Sequence, residues 1–266
     1  MKSNNHFLSV IVPVYRQQAT IKADITSIHR TLSQLRYNFE LIVVVDGTNI
    51  DQSYQRAKGL KLAHLKVIGY PNNYGKGYAV RYGMAHSRGD YISFIDAGME
   101  IDPNGISLLI EHLEWYKADI VCASKRHPAS QINYPLERRI LSFFAQTFTR
   151  LFLNLPISDT QAGLKIFRRK VLVKTLPRLL VKHYAFDLEI LAVAYHLGFK
   201  RIYEAPIKLN YDFVSLTHAA GLRVIWRSFI DALAVFYRLR LRHYYDDSNS
   251  RRWSYNSELS MRVNTG

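Results

Sequence analysis

Three short motifs bring carboxylates, a lysine and glycines into an order suited to a phosphate-bearing ligand. Asp46-Gly47-Thr48 directly follows the apolar run 41–45. Beyond the carboxyl end of a strand in an open α/β sheet, Asp46 can accept hydrogen bonds from a base or a ribose. Taken alone, the same Asp-Gly is also an ordinary turn that ends a strand. Gly75-Lys76-Gly77 opens the helical stretch 78–87, where glycine permits close backbone approach and a lysine near a helix N-terminus suits phosphate. Asp96-Ala97-Gly98-Met99-Glu100 follows the apolar run 91–95. Asp96, Glu100 and Asp102 are oxygen ligands of the kind Mg²⁺ or Mn²⁺ takes while bridging diphosphate oxygens. The plain alternative there is an Asx turn and a helix cap ahead of Pro103.

Elements of alternating period must position these groups. Residues 8–14, 41–45, 65–68, 91–95 and 120–123 are short apolar runs and predict strands, while 21–35, 52–60, 78–87 and 106–116 carry helical spacing. Strand–helix alternation predicts an α/β fold with a doubly wound, mostly parallel sheet, and strands almost unbroken in Val, Ile, Leu and Phe predict helices on both faces. Past residue 125 the rhythm changes: a long helix over 136–155, a strand over 164–167, then helices over 186–197 and 222–241. Residues 246–266 are polar with isolated apolar positions and predict a loose tail, leaving 1–245 as one domain.

Composition narrows the partners. The 36 Lys and Arg against 21 Asp and Glu give +15, which suits a nucleotide, a phospholipid surface or nucleic acid. No nucleic-acid-binding module is recognisable, so nucleic acid is not expected. A single cysteine, Cys122, excludes an internal disulfide and predicts a reducing, cytoplasmic setting. The polar residues 1–6 lack signal-peptide character, and no run reaches the roughly 18 apolar residues of a membrane span.

The order and spacing of these motifs, with Pro13-Val14-Tyr15 after the first strand, resemble the GT-A fold of family 2 glycosyltransferases. The branch resembled is that of dolichyl- or polyprenyl-phosphate mannose or glucose synthases. Ser124-Lys125-Arg126 is similar to that branch's Gly-Ser-Arg, and 159–165, Asp-Thr-Gln-Ala-Gly-Leu-Lys, to its Asp-Thr-Gln-Ser-Gly-Phe-Arg. Phe186-Asp187-Leu188-Glu189 and Glu204-Ala205-Pro206-Ile207 fall in family order, so the resemblance runs from about residue 7 to 245. It implies a nucleotide-sugar-binding half, 7–125, and an acceptor half, 126–245. Pro13, Tyr15, Asp46, Gly47, Gly77 and Ala97 would line the donor site, with Lys76 on the nucleotide or its phosphates. Asp96 and Glu100 would serve metal and diphosphate, and Arg126, Gln161 and Lys165 the donor sugar or the acceptor phosphate. Three departures stand out: Arg16-Gln17 for Asn-Glu, Val45 for a first Asp, and Gly98 for the metal motif's second Asp.

The reaction implied is inverting transfer of a hexose from a nucleotide sugar, with Asp96, Arg126 and Asp159 as catalytic candidates. Asp159 is the general base if the acceptor is a sugar hydroxyl, whereas an anionic polyprenyl phosphate needs none. The alternative is a catalytically weakened nucleotide-sugar-binding protein. In 222–242 the positions Arg223, Arg227, Asp231, Arg238 and Arg242 lie opposite Ile225, Trp226, Phe229, Ile230, Leu233, Phe236 and Tyr237. That segregation predicts peripheral contact with an anionic membrane surface, or a helix that simply covers the core.

Overall fold

The computed structural model describes residues 6–130, 153, 155–209, 222–249 and 252–265. Most of the predicted helix 136–155 therefore lies outside the described residues. Seven strands form one sheet: β1 (Phe7–Val14), β2 (Asn38–Asp46), β3 (Leu65–Tyr70), β4 (Tyr91–Ile95), β5 (Ile120–Ser124), β6 (Leu164–Arg168) and β7 (Ile202–Pro206). Their order is β3-β2-β1-β4-β6-β5-β7. The pairs β1–β2, β1–β4, β2–β3 and β5–β7 are parallel, as the alternating pattern predicts. Strand β6 runs antiparallel to both β4 and β5, which places the start of its chain at the same sheet edge where its neighbours end.

Helices cover both faces. On one face lie α1 (Ile21–Ser33), α2 (Ser53–Lys58) and α4 (Gly105–Trp115); on the other α3 (Lys76–Ala85), α5 (Arg169–Thr175), α6 (Phe186–His196) and α7 (Leu222–Phe236). Helix α1 shows why: Ile21, Ile25, Ile28 and Leu32 fall on one stripe and are fully buried. Each such side chain contributes roughly 1.5–3 kcal/mol by leaving water. Helix α6 is buried from Phe186 through Ala194, which an all-round apolar sequence demands.

Two regions differ from the expectation. The helix predicted over 222–241 is α-helical only to Phe236, and Tyr237–Leu241 continues as a π turn. The stretch expected as a loose tail instead holds a hairpin of β8 (Trp253–Asn256) and β9 (Met261–Asn264). Its few apolar residues are what anchor it: Leu259 and Val263 are buried, and Tyr78 donates to Glu258. Arg178 ties the preceding segment by donating to the Tyr245 carbonyl at 3.0 Å and pairing with Asp247.

Candidate functional site

Strand order reverses beside β1, whose chain continues to β2 on one side while β4 lies on the other, so a crevice opens beyond their carboxyl ends. Pro13, Asp46, Asp96 and Ser124 all stand at that edge. Tyr15, just past β1, is 44% exposed at its mouth, with the Arg16 guanidinium 5.4 Å from its ring centre.

Asp46 is buried, and its two oxygens accept the backbone N–H groups of Tyr74 (2.7 Å) and Gly75 (2.9 Å). The anion at the entrance to α3 is therefore this carboxylate, which holds the loop that carries Lys76. The Tyr78 N–H is likewise taken, by the Lys182 carbonyl at 3.0 Å. The glycines of this loop serve packing. A Cβ on Gly75, whose φ is +102°, would lie 2.4 Å from His183 Nδ1, and one on Gly77 would lie 2.4 Å from the Phe186 Cβ. Gly47, at φ +92°, turns the chain away from β2.

Lys76 reaches the crevice. Its Nζ lies 2.8 Å from Asp96 Oδ2 and 3.7 Å from Asp187 Oδ2, and 5.7 Å from the Phe94 ring centre. Burial works against its charge, but Asp96 and Asp187 outweigh burial and hold its pKa above the ordinary lysine value. Asp187 Oδ1 in turn accepts from Lys165 Nζ at 2.6 Å. Lys165 is completely buried and also donates to the Ala162 carbonyl, so it stands behind the site and does not meet sugar or phosphate, contrary to expectation. The result is a ladder of alternating charge, Asp96, Lys76, Asp187, Lys165, of which Asp96 is the solvent-facing end, with a side chain 42% exposed.

A second charged pair flanks it. Lys125 Nζ lies 2.9 Å from Glu100 Oε1, and the Lys125 N–H donates to Asp159 Oδ2 at 2.9 Å. Asp159 Oδ1 accepts the N–H groups of Gln161 (3.0 Å) and Ala162 (3.1 Å). With three backbone donors on it, Asp159 shapes the 159–163 loop and is poorly placed to act as a general base. Glu204 on β7 supports the same loop, accepting from Ser158 and from the Asp159 N–H at 2.9 Å. Arg126 and Gln161 follow these anchors, Gln161 exposed and Arg126 half-buried, at the rim of the crevice.

The described residues do not make a ready divalent metal site. Among the described residues no three carboxylate, histidine or cysteine side chains cluster for a metal. Asp96 Oδ1 is buried without a hydrogen-bond partner, which leaves one oxygen for a ligand. Asp96 Oδ2 and Glu100, however, each already hold an ammonium group at hydrogen-bond range, and Gly98 between them offers no ligand. A dication on either carboxylate would face a lysine head group.

Asp187, Glu204 and Gly163 were in the motifs read from sequence but carried no assigned task there, because their work is long-range. Asp187 lies 111 positions from Lys76, and Gly163 matters only because Asp96 is folded onto it.

A profile of glycosyl transferase family 2 matches residues 9–176. The chain belongs to that family. Dolichyl-phosphate beta-glucosyltransferases are 30% identical over 214 residues (Dictyostelium discoideum), 29% over 229 (Saccharomyces cerevisiae) and 31% over 206 (Drosophila melanogaster). These matches take in 73%, 78% and 71% of this chain and 64%, 67% and 63% of the relatives. The chain thus spans about two thirds of their length. The GT-A architecture of this family 2 chain is shared with solved enzymes. Mannosyl-3-phosphoglycerate synthase from Rubrobacter xylanophilus superposes with a TM-score of 0.69 at 19% identity, over 95% of this chain and 84% of that one. Glucosyl-3-phosphoglycerate synthase from Mycobacterium tuberculosis, solved with Mn²⁺, UDP and glucosyl-3-phosphoglycerate, gives 0.60 at 20% identity, over 97% and 87%.

Proposed function

We propose that this chain is an inverting glycosyltransferase that moves a hexose from a nucleotide sugar to a polyprenyl phosphate, of the dolichyl or undecaprenyl kind. The observation that carries this reading is the pair of lysines, Lys76 and Lys125, whose side chains stand with the carboxylates Asp96 and Glu100 at the crevice where an open α/β sheet takes its nucleotide. The three relatives named for dolichyl phosphate support the acceptor class.

In this reading an acceptor phosphate oxygen attacks the anomeric carbon and the bond to the nucleoside diphosphate breaks, the diphosphate leaving with the electron pair. A phosphate monoester, with its second pKa at about 6, is already mostly dianionic near neutral pH, so no base is required. That agrees with an Asp159 whose carboxylate is taken up by backbone donors. The protein's main contribution is then fixed positive charge where the diphosphate charge grows, from Lys76, Lys125 and Arg126. Asp96 and Asp187 hold the Lys76 head group in place. Pro13, Tyr15 and Ala97 face the nucleoside and diphosphate, Asp46 and Gly47 set the loop that carries Lys76, and Gln161 meets the donor sugar or acceptor phosphate.

Helix α7 supports peripheral contact with an anionic membrane. Trp226, Phe229, Ile230 and Leu233 are 41–64% exposed, whereas Ala232, Val235 and Leu239 face the core. No described helix is long and apolar enough to cross a membrane. Two details of the expected interfacial helix change: Phe236 packs on the core, and Arg238 pairs inward with Glu189.

A screen of nucleotide sugars with a short polyprenyl phosphate tests the reading; absence of sugar-linked lipid with every donor would overturn it. Val45 and Gly98 favour a second reading, a nucleotide-sugar-binding protein with weakened catalysis. That reading predicts donor binding without transfer in the same screen.

A further inference from the structure

Helix α7 reaches the loop that carries Lys76 through a chain of two contacts. Arg227 Nη2 donates to His183 Nε2 at 2.7 Å, and the Nδ1 side of that ring packs on Gly75, where a Cβ would lie 2.4 Å away. Gly75 directly precedes Lys76, so an unbroken line runs from α7 to the crevice. Lys182 stands beside this line. Its carbonyl accepts the Tyr78 N–H at 3.0 Å, and its ammonium lies 5.6 Å and 5.8 Å from the ring centres of Tyr74 and Tyr78.

Unlike Lys76, these two cations have no carboxylate within ion-pair range among the described residues. One guanidinium N–H of Arg227 is spent on a neutral imidazole, and the Lys182 ammonium donates to no oxygen. Both side chains are exposed, so both keep donors for an incoming anion. Asp231, one turn along α7, and Asp46 also face His183. Asp46 is taken up by the Tyr74 and Gly75 amides, and Asp231 pairs with neither cation. Position points to the kind of anion. Trp226, next to Arg227, is 64% exposed and Ile230 is 48% exposed on the apolar face of α7. A phosphate carried on an apolar chain along that face meets Arg227 and Lys182 before it meets Lys76.

We propose that Arg227 and Lys182 form a receiving site for the phosphate monoester of a membrane-held acceptor, at the point where α7 meets the Lys76 loop. The inference rests on the polyprenyl-phosphate reading above and names the residues that recognise the acceptor's head group.

Steady-state transfer by the full chain to geranyl phosphate, a soluble acceptor, with the donor found in the nucleotide-sugar screen tests it without vesicles. Arg227→Gln and Lys182→Gln should each raise the acceptor KM by about tenfold to a hundredfold, the worth of a lost charge-assisted contact. The donor KM and kcat should stay within about threefold. Arg227→Lys, which keeps the charge, should hold the acceptor KM within about fivefold of the parent chain. Thermal melts establish that each variant is folded, and the backbone hold of Lys182 on Tyr78 survives in Lys182→Gln. An unchanged acceptor KM would overturn the inference and leave the glycosyltransferase reading intact. A parallel rise in donor KM would also overturn it, because Arg227 and Lys182 would then only hold the Lys76 loop. So would an effect seen with polyprenyl phosphate in anionic phosphatidylglycerol vesicles but not with geranyl phosphate, which marks contact with bulk headgroups. A parent chain that transfers to a sugar hydroxyl and to no phosphate would overturn the polyprenyl-phosphate reading together with the inference.

Discussion

Gly163 leaves room for Asp96 and for nothing else: a Cβ at Gly163 would lie 2.1 Å from Asp96 Oδ2, while the Gly163 carbonyl accepts the Asp96 N–H at 3.1 Å. Gly163→Ala must push the Asp96 carboxylate off Lys76. A displacement of about 1 Å in a catalytic constellation costs roughly a hundredfold in rate, so kcat/KM for sugar transfer should fall by at least that factor. Transfer within fivefold of the parent chain would refute the role given to Asp96.

Asp96→Asn keeps the shape but removes the charge facing Lys76. Asp187 still holds the lysine, so the melting temperature should stay within about 3 °C. Sugar transfer should fall by about 10²–10³, the range for losing one preorganised electrostatic group. Steady-state kinetics alongside a thermal melt distinguishes this from unfolding.

Glu189 carries the attachment of the C-terminal part. It is fully buried and accepts from the Leu180 and Val181 N–H groups and from Tyr245, with Arg238 3.6 Å away. Burial raises its pKa, yet removing it would strand four donors at once. Glu189→Ala should cost about 3–5 kcal/mol, seen by calorimetry as a melting temperature lowered by roughly 6 °C or more. A change below 3 °C would contradict this.

His183 links α7 to the Lys76 loop. Arg227 only donates, so its 2.7 Å contact with His183 Nε2 needs a neutral imidazole. Burial and the Arg227 charge both lower the His183 pKa, with Asp231 and Asp46 opposing and Lys182 adding to the drop. A folded pKa below the unfolded one means that the unfolded chain binds the extra proton first. The stability contribution is complete above the unfolded value of about 6.5 and is lost as pH falls through the folded value. From pH 7.5 to 5 the parent chain should lose more melting temperature than His183→Asn, and parallel losses would remove the link.

Membrane contact is best probed away from Arg238. Trp226→Ser with Phe229→Ser should release the chain from anionic liposomes in co-sedimentation while its melting temperature falls by no more than about 3 °C, because Trp226 is 64% and Phe229 44% exposed. Arg238→Gln should instead lower stability. Unchanged liposome binding in the double variant would leave α7 as a cover for the core.

Much of this was legible in local pattern. Strands β1 to β6 and helices α1 to α4 announce themselves because residues such as Ile21, Ile25 and Ile28 repeat at the period of the element that buries them. The motif residues Asp46, Lys76, Asp96 and Lys125 do gather at one sheet edge. Their partners were not legible. Asp46 looks the same in sequence whether it meets a ribose or the Tyr74 and Gly75 amides, and Lys165 the same whether it meets phosphate or Asp187. The direction of β6 and the hairpin at 253–264 depend on contacts far along the chain, which no short window of sequence contains.

The antiparallel strand β6 also has a consequence for how the molecule is made. It sits between β4 and β5, yet follows β5 by 40 residues in the chain. Strands β1 to β4 can pair as they leave the ribosome, but β4 then keeps one raw edge until residue 168 has been synthesised. A nascent or truncated product ending before Leu164 would display that hydrophobic edge in full, making premature termination in this interval the point at which the chain is most prone to aggregate.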